Sequence, residues 1–412
     1  MSTERKLVPK LRFPEFRGDE GWEQKTLKEV CLQITNGKAN AEDHEEDGEF
    51  PLFDRSAVIK KSSFFMFDAE AVIIPGEGMR FVPKYFQGKF NLHQRAYALM
   101  RHQGDGRFVY HSLDFLQDVM AKKAVKSTVL SLRLPIVENF ILGYPSLPEQ
   151  KKIADCLSTL DELIAAQSRK VDLLKTHKKG LMQQLFPREG ETVPRLRFAE
   201  FEGEWEVVTF GDIFEFKPTN SLSRDQLTLE SGSIRNIHYG DIHTKYQTLF
   251  KVESEVVPYI ADIESVERVS TDSFLREGDL VFADASEDTV DIGKSIEIVS
   301  LKNEPVLAGM HTILARPTFN SFQSGFAGYL MKSLWVRNQI EREAQGTKVL
   351  GISPKRLAKI RFAKPKVVAE QRQIVELLAS LDDQITEESQ SLESLKIHKK
   401  GLMQGLFPTK NS

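Results

Sequence analysis

Four hundred and twelve residues with a 41% apolar fraction are enough for two to three domains, each burying its own core. A net charge of −3 excludes a simple polycation, and the two cysteines, Cys31 and Cys156, exclude a disulfide framework or a cysteine-built zinc site. No stretch approaches the roughly 18–20 apolar residues that span a membrane, and the N-terminus lacks the apolar core of a secretion signal, so a cytoplasmic, reducing location is expected.

The chain opens on Val8-Pro9-Lys10-Leu11-Arg12-Phe13, followed by Phe16 and Trp22. The acidic run Glu42-Asp43-His44-Glu45-Glu46-Asp47 reads as a solvated loop rather than a cation site. Ala71-Val72-Ile73-Ile74, closed by Pro75-Gly76, predicts a strand and a turn. Residues 78–104 then carry Arg80, Lys84, Lys89, Arg95 and Arg101 without any acid. Phe81, Tyr85, Phe86, Phe90 and Tyr97 interleave with them, alongside His93 and Gln94. Lys and Arg neutralise phosphates, whereas Gln, Asn, Arg and His read base edges. The alternative for this window is a half-buried sheet, with the aromatics in a core and the basic residues on an ordinary surface. Residues 119–137 add Lys122, Lys123, Lys126 and Arg133, again without an acid.

From Glu149 to Pro187 the pattern changes to a long helix, and that segment is written twice. It recurs as Glu370–Pro408 at a constant offset of 221, with 20 of 39 positions identical. Positions spaced 4,3,4,3 in the first copy are Ile153, Leu157, Leu160, Ile164, Gln167, Val171, Leu174, Lys178, Leu181 and Leu185. In the second they are Ile374, Leu378, Leu381, Ile385, Glu388, Leu392, Leu395, Lys399, Leu402 and Leu406. Eight of ten are aliphatic in each copy, the pattern of a coiled-coil seam. The polar interruptions fall at matching places, where such residues fix register and partner. Pro187 and Pro408 end the stripes. At 1.5 Å per residue each helix is about 55 Å long.

Between the two helices the opening motif returns as Val193-Pro194-Arg195-Leu196-Arg197-Phe198, with Phe201 and Trp205, offset by 185. The second block is therefore about 36 residues longer than the first (221 − 185). It contains the polar stretch Arg235-Asn236-Ile237-His238-Tyr239-Gly240-Asp241 and the strand-like run Asp279-Leu280-Val281-Phe282. His311-Thr312-Ile313-Leu314-Ala315 is a weak counterpart of Arg95–Met100. Residues 305–340 hold Arg316, Lys332 and Arg337 with no acid, and 344–369 hold seven basic residues with none. Acid-free basic windows at matched places suggest two equivalent phosphate-contacting surfaces, with solvated surface charge as the alternative. The fold class that follows is α+β: mixed blocks at 1–148 and 188–369, and long helices at 149–187 and 370–408, as an internal repeat.

Catalytic motifs fail one by one. Gly293-Lys294-Ser295 lacks the earlier glycine of a phosphate loop, since position 288 is Asp288. Gly76-Glu77-Gly78 has no third glycine and marks a turn. There is no metal-binding histidine spacing and no nucleophile elbow.

With these features together, the chain resembles the specificity subunits of type I restriction–modification systems. The resemblance rests on the order of block and helix, and on the helix entries Leu147-Pro148-Glu149-Gln150-Lys151-Lys152-Ile153 and Ala369-Glu370-Gln371-Arg372-Gln373-Ile374. It rests also on the shared ending Lys-Lys-Gly-Leu-Met-Gln at 178–183 and 399–404, and on the Pro-x-Leu-Arg-Phe entries. It implies two target-recognition domains, each reading half of a bipartite double-stranded DNA sequence. It implies that the helices pack antiparallel as a spacer and dock two methyltransferase subunits, with restriction and motor subunits also recruited. S-adenosylmethionine, ATP and Mg would be bound by those partners; no cofactor or metal is expected here, nor any catalysis. On this reading Arg80, Lys84, Lys89 and Arg95 contact phosphate or guanine in the first domain, with His93 and Gln94 near bases. In the second domain the candidates are Arg235, Asn236, His238 and Lys245, plus His311 and Arg316. A coiled-coil scaffold whose blocks bind proteins is the competing reading. A methyltransferase in this chain is third, and it lacks a glycine-rich cofactor loop.

Overall fold

The computed structural model describes residues 7–126, 128–262, 264, 269–318 and 322–408. Ser127 and residues 319–321, inside two of the basic windows, lie outside the described residues. The chain divides into two compact units that do not follow the order of the sequence. One comprises Met1–Lys170 with Glu388–Ser412, and the other Val171–Glu387. Each unit thus contains one block, part of the first long helix and part of the second.

Each repeated segment is one continuous helix of 39 residues, Leu147–Leu185 and Val368–Leu406. All twenty stripe positions are buried or half-buried, and none is exposed. Burial is deepest near the ends, at Ile153, Leu157 and Leu185 in the first helix and Ile374, Leu378 and Leu406 in the second. There the stripes join the block cores: Ile153, Leu157 and Leu406 pack with Trp22 and Phe108, while Leu185, Ile374 and Leu378 pack with Trp205 and Phe326.

Each polar interruption of the stripes finds a polar partner on the facing helix. In the first unit Gln167 Nε2 donates to the Glu388 carboxylate at 2.6 Å, and Lys399 Nζ pairs with Asp161 at 2.6 Å. Numbers rise along one helix as they fall along the other, so the segments run antiparallel. In the second unit Lys178 meets Asp382 at 2.5 Å, the same contact displaced by 221 residues. A lysine at a half-buried seam position needs a fixed carboxylate, so these pairs penalise any slip in register.

The first block closes on itself through strands Glu23–Thr26 and Ile141–Tyr144, which pair antiparallel. Its main sheet has six strands in the order 31–36, 96–102, 67–75, 84–92, 50–53, 60–62. The expected strand Ala71–Ile74 is central and fully buried. The second block repeats the closing ladder with Glu206–Thr209 and Arg361–Lys364. Its five-stranded sheet runs 214–217, 312–317, 280–283, 295–300, 249–251. An additional four-stranded sheet, in the order 227–228, 259–260, 235–237, 306–308, belongs to this block.

The entry peptides explain the repeated motifs. Arg12 forks onto Glu149 at 2.8 and 2.7 Å, and Arg197 onto Glu370 at 2.8 and 2.9 Å. A carboxylate in the first turn of a helix also meets the positive end of the helix dipole. The neighbouring glutamine bridges backbone: Gln150 donates to Pro145 O at 2.8 Å and accepts from Asp105 N–H at 3.1 Å. Gln371 does the same with Pro365 O at 3.1 Å and Gln323 N–H at 2.8 Å. Leu11 N–H satisfies the Gly405 carbonyl at 2.9 Å, and Leu196 N–H that of Gln184 at 3.0 Å. Helix-terminal carbonyls lack intrahelical donors, so each entry peptide caps a long helix.

Candidate nucleic-acid interface

In the first unit the basic window 78–104 is split by the sheet. Strand Lys84–Leu92 turns through His93-Gln94-Arg95 into strand Ala96–His102. Phe81, Phe90 and Leu99 are core, so part of the aromatic interleaving is packing. The polar members face outward. Arg80 and Lys84 line an open cavity of about 550 Å³, together with Arg55, Met79 and Val82. Lys84 is half-buried and donates to Ser56 O at 2.5 Å; burial pulls its ammonium below the ordinary lysine range, against the nearby Asp54.

His93 sits close to this cluster. Burial lowers its pKa, and Arg95, Lys60 and Arg55 push the same way against Asp54. Its imidazole is therefore neutral near pH 7, with a donor and an acceptor. Gln94 is exposed and donates to Asn40 Oδ1 at 2.7 Å. Arg95 is exposed and tied to Glu77 at 2.8 Å. Lys89 does not line the cavity; it lies over the Phe65 ring, 4.8 Å from its centroid.

The second unit gathers its candidates around Tyr239. His238 packs on this ring at 4.6 Å and His311 meets it edge-on at 5.3 Å. His238 Nδ1 accepts from Gly240 N–H at 3.1 Å, capping the turn of helix Tyr239–Thr244. Arg224 Nη2 is 3.2 Å from the same nitrogen. Burial, then Arg224, lowers the His238 pKa. His311 is exposed, 3.2 Å from Asp284, and takes a left-handed φ of 58° that histidine rarely adopts. Lys245 and Arg224 both clamp the buried Asp241, at 2.9 and 2.7 Å. Arg235 is half-buried, paired with Glu304 and set over the Tyr259 ring at 4.4 Å.

Three candidates are buried, His238 beside Tyr239 and two others, Asn236 and Arg316, that are tied to partners inside the fold. Asn236 is fully buried and accepts from Asn220 Nδ2 at 2.7 Å. Arg316 is buried and forks onto Asp279 at 2.9 and 2.8 Å while donating to Phe274 O. Reaching a surface ligand would leave Asp279 buried and unpaired, so both side chains are structural residues rather than surface contacts. Conversely, Arg55, Arg224 and Tyr239 were not singled out by the basic windows, yet they stand at the centres of the two clusters. Each arginine has an acid next to it in sequence, Asp54 and Asp225, and so falls outside any acid-free window.

Among the described residues no group of acids, histidines and cysteines is arranged to hold a metal, and no helix is long and apolar enough to cross a membrane. Residues 19–176 and 202–396 match the family described as the type I restriction modification DNA specificity domain, once on each block. The chain is 25% identical over 315 residues to the type I restriction enzyme MjaVIII specificity subunit of Methanocaldococcus jannaschii, covering 74% of this chain and 70% of that protein. It is 26% identical over 178 residues to the EcoDI specificity subunit of Escherichia coli, covering 43% and 40% respectively. The crystal structure of a type I restriction-modification system S subunit from M. genitalium shares the fold, with a TM-score of 0.65 over 98% of this chain and 100% of that one, at 15% identity.

Proposed function

The chain belongs to the type I restriction–modification DNA specificity family, and from that premise we propose that its two units read the two parts of one asymmetric, bipartite DNA target. Its role in such a system is specificity, without a reaction of its own. The observation that carries the bipartite reading is a common frame holding unlike surfaces. Entry peptide, closing ladder and helix anchors recur in both units, while the exposed clusters around Arg80 and Tyr239 share no sequence. Repeated parts suit one kind of partner met twice, so two methyltransferase subunits dock on the helices. Restriction subunits join that assembly. S-adenosylmethionine, ATP and Mg belong to those partners.

In the first unit Arg55, Arg80, Lys84 and Arg95 meet phosphate or guanine, with His93 and Gln94 beside them. In the second unit Arg224, Lys245 and His311 do so around Tyr239. A base-reading arginine is worth about 1–3 kcal/mol at one position, whereas a phosphate-contacting lysine weakens all sequences alike.

The test is methylome sequencing of cells that carry this chain with its methyltransferase subunits. The expected motif has two unlike half-sites separated by unread bases, and exchanging residues 19–146 for another family member's block alters one half-site only. A single uninterrupted motif, or an exchange that alters both half-sites, refutes the division of labour. Gel shifts of the assembled complex that are indifferent to sequence would favour a protein-binding scaffold instead.

A further inference from the structure

The loop that follows strand-turn residue Gly78 presents an apolar knob where a solvent-facing loop ordinarily carries polar side chains. Met79 is 77% exposed, the most exposed large apolar side chain among the described residues, and Val82 is 48% exposed. The loop that carries them is anchored. Glu77 and Gly78 pair with Ser131 and Leu130 in a short sheet, Leu132 N–H bonds to Gly76 O at 2.8 Å, and Phe81 is buried in the core. Gly78 has a φ of 144°, a backbone state that side chains disfavour. With Phe81 fixed inward, Met79 and Val82 are held out on either side of it.

Cations surround this knob. Arg80 is the next residue, and Arg55, Arg80 and Lys84 line the adjoining cavity of about 550 Å³. The Arg55 and Arg80 guanidiniums have no ion-pair partner among the described residues, and the one carboxylate in the lining, Glu77, is taken by Arg95 at 2.8 Å. Apolar wedges flanked by arginine are the means by which proteins part stacked base pairs: the side chain enters the step while the cations hold the flanking phosphates.

We propose that Met79 is an intercalating wedge that unstacks one base step in the half-site read by the first unit, with Arg55 and Arg80 on the flanking phosphates and the cavity receiving the displaced base. This rests on the DNA-reading function proposed above. It makes part of that unit's specificity a preference for steps that unstack readily, since pyrimidine–purine steps yield most easily.

The experiment uses the complete complex with its methyltransferase subunits and duplexes carrying the motif found by methylome sequencing. Single 2-aminopurines replace in turn the adenines of both half-sites other than the methylated ones, which the methyltransferase subunits themselves flip from the stack. One step in one half-site should brighten several-fold on binding. Met79→Ala, a change at an exposed position, should abolish that rise and weaken binding about 5-fold on the matched duplex. On a duplex already mismatched at that step the variant should bind within 2-fold of the unaltered complex, and Met79→Leu should retain the signal. Arg55→Ala and Arg80→Ala should each weaken binding to both duplexes. If binding is sequence-dependent but no position brightens, or if Met79→Ala loses equally on matched and mismatched duplexes, the wedge is refuted while the DNA-reading function stands. If no duplex is bound in preference to a scrambled one, both fall.

Discussion

Replacing Glu370 with alanine should destabilise the second unit more than replacing Glu149 destabilises the first. Both carboxylates are buried and each receives a forked arginine, Arg197 and Arg12. Removing one member of a buried pair costs about 3–5 kcal/mol. The lower end applies here, because each arginine keeps two backbone carbonyls: Asp19 and Glu20 for Arg12, Glu202 and Gly203 for Arg197. The difference lies in the tryptophans. Trp205 Nε1–H donates to Glu370 at 3.0 Å, whereas Trp22 Nε1 has no hydrogen-bond partner among the described residues. A bond to a charged acceptor adds about 1.5 kcal/mol. Glu149→Ala should therefore cost about 3 kcal/mol and Glu370→Ala about 4.5 kcal/mol. For a unit of this size the excess is a further fall of about 3–6 °C in midpoint. Calorimetry, with hydrogen exchange to separate the two units, measures both. In a Trp205→Phe background the Glu370→Ala cost should drop to that of Glu149→Ala. Equal costs in the unaltered background, or an excess that persists without Trp205, refute the argument.

The two units should also respond oppositely to pH. Burial, then Lys399 and Arg107, pushes the His111 pKa down to about 3. Below pH 6.5 the unfolded chain takes up a proton that the folded first unit refuses, so stability falls toward pH 3 by up to about 1.4 kcal/mol per pH unit. Urea titrations of His111→Gln should lack that slope. Burial raises Glu297 to about 7, against N–H bonds from Gly325 and Gly328. Its contribution is complete below pH 4.5 and is lost as pH rises through 7, so the second unit should weaken over that interval. Gly104→Ala would place a methyl 2.2 Å from Gln150 Oε1 and 2.3 Å from the Tyr144 hydroxyl, and should cost about 1–3 kcal/mol in thermal unfolding. Deleting 164–170 and 385–391 together removes one heptad, about 10 Å, from each helix. The unread gap in the methylated motif should shrink by about three base pairs, at about 3.4 Å each, with both half-sites unchanged. Altered half-sites with an unchanged gap would defeat the ruler.

What the sequence discloses depends on how local the determining contacts are. The long helices are legible because their period lies within consecutive residues, and Lys178 and Lys399 mark the interruptions without any knowledge of Asp382 and Asp161. Strands Ala71–Ile74 and Leu280–Phe282 are legible because they are buried on both faces. The four-stranded sheet of the second block is not, since its strands have two or three residues drawn from places 80 residues apart, 227 to 306. Such pieces have no period to detect. The site suffers the same limit. An acid-free window sees only neighbours in sequence, but Arg95, Arg235 and Arg316 find Glu77, Glu304 and Asp279 across 18, 69 and 37 residues. Tyr239 has no charge, so no charge count selects it.

The division of the chain into a contiguous unit nested within a discontinuous one also orders its synthesis. Val171–Glu387 is complete once its last residue has left the ribosome, whereas the first block must wait for Leu402, Met403, Leu406 and Phe407 to fill its core. Phe407 packs against Trp22, Phe108 and Phe115, at 6.2, 5.8 and 5.4 Å. The part made first therefore finishes folding last. A nonsense codon near the 3′ end of the message would spare the nearer unit and unseat the one encoded at the opposite end.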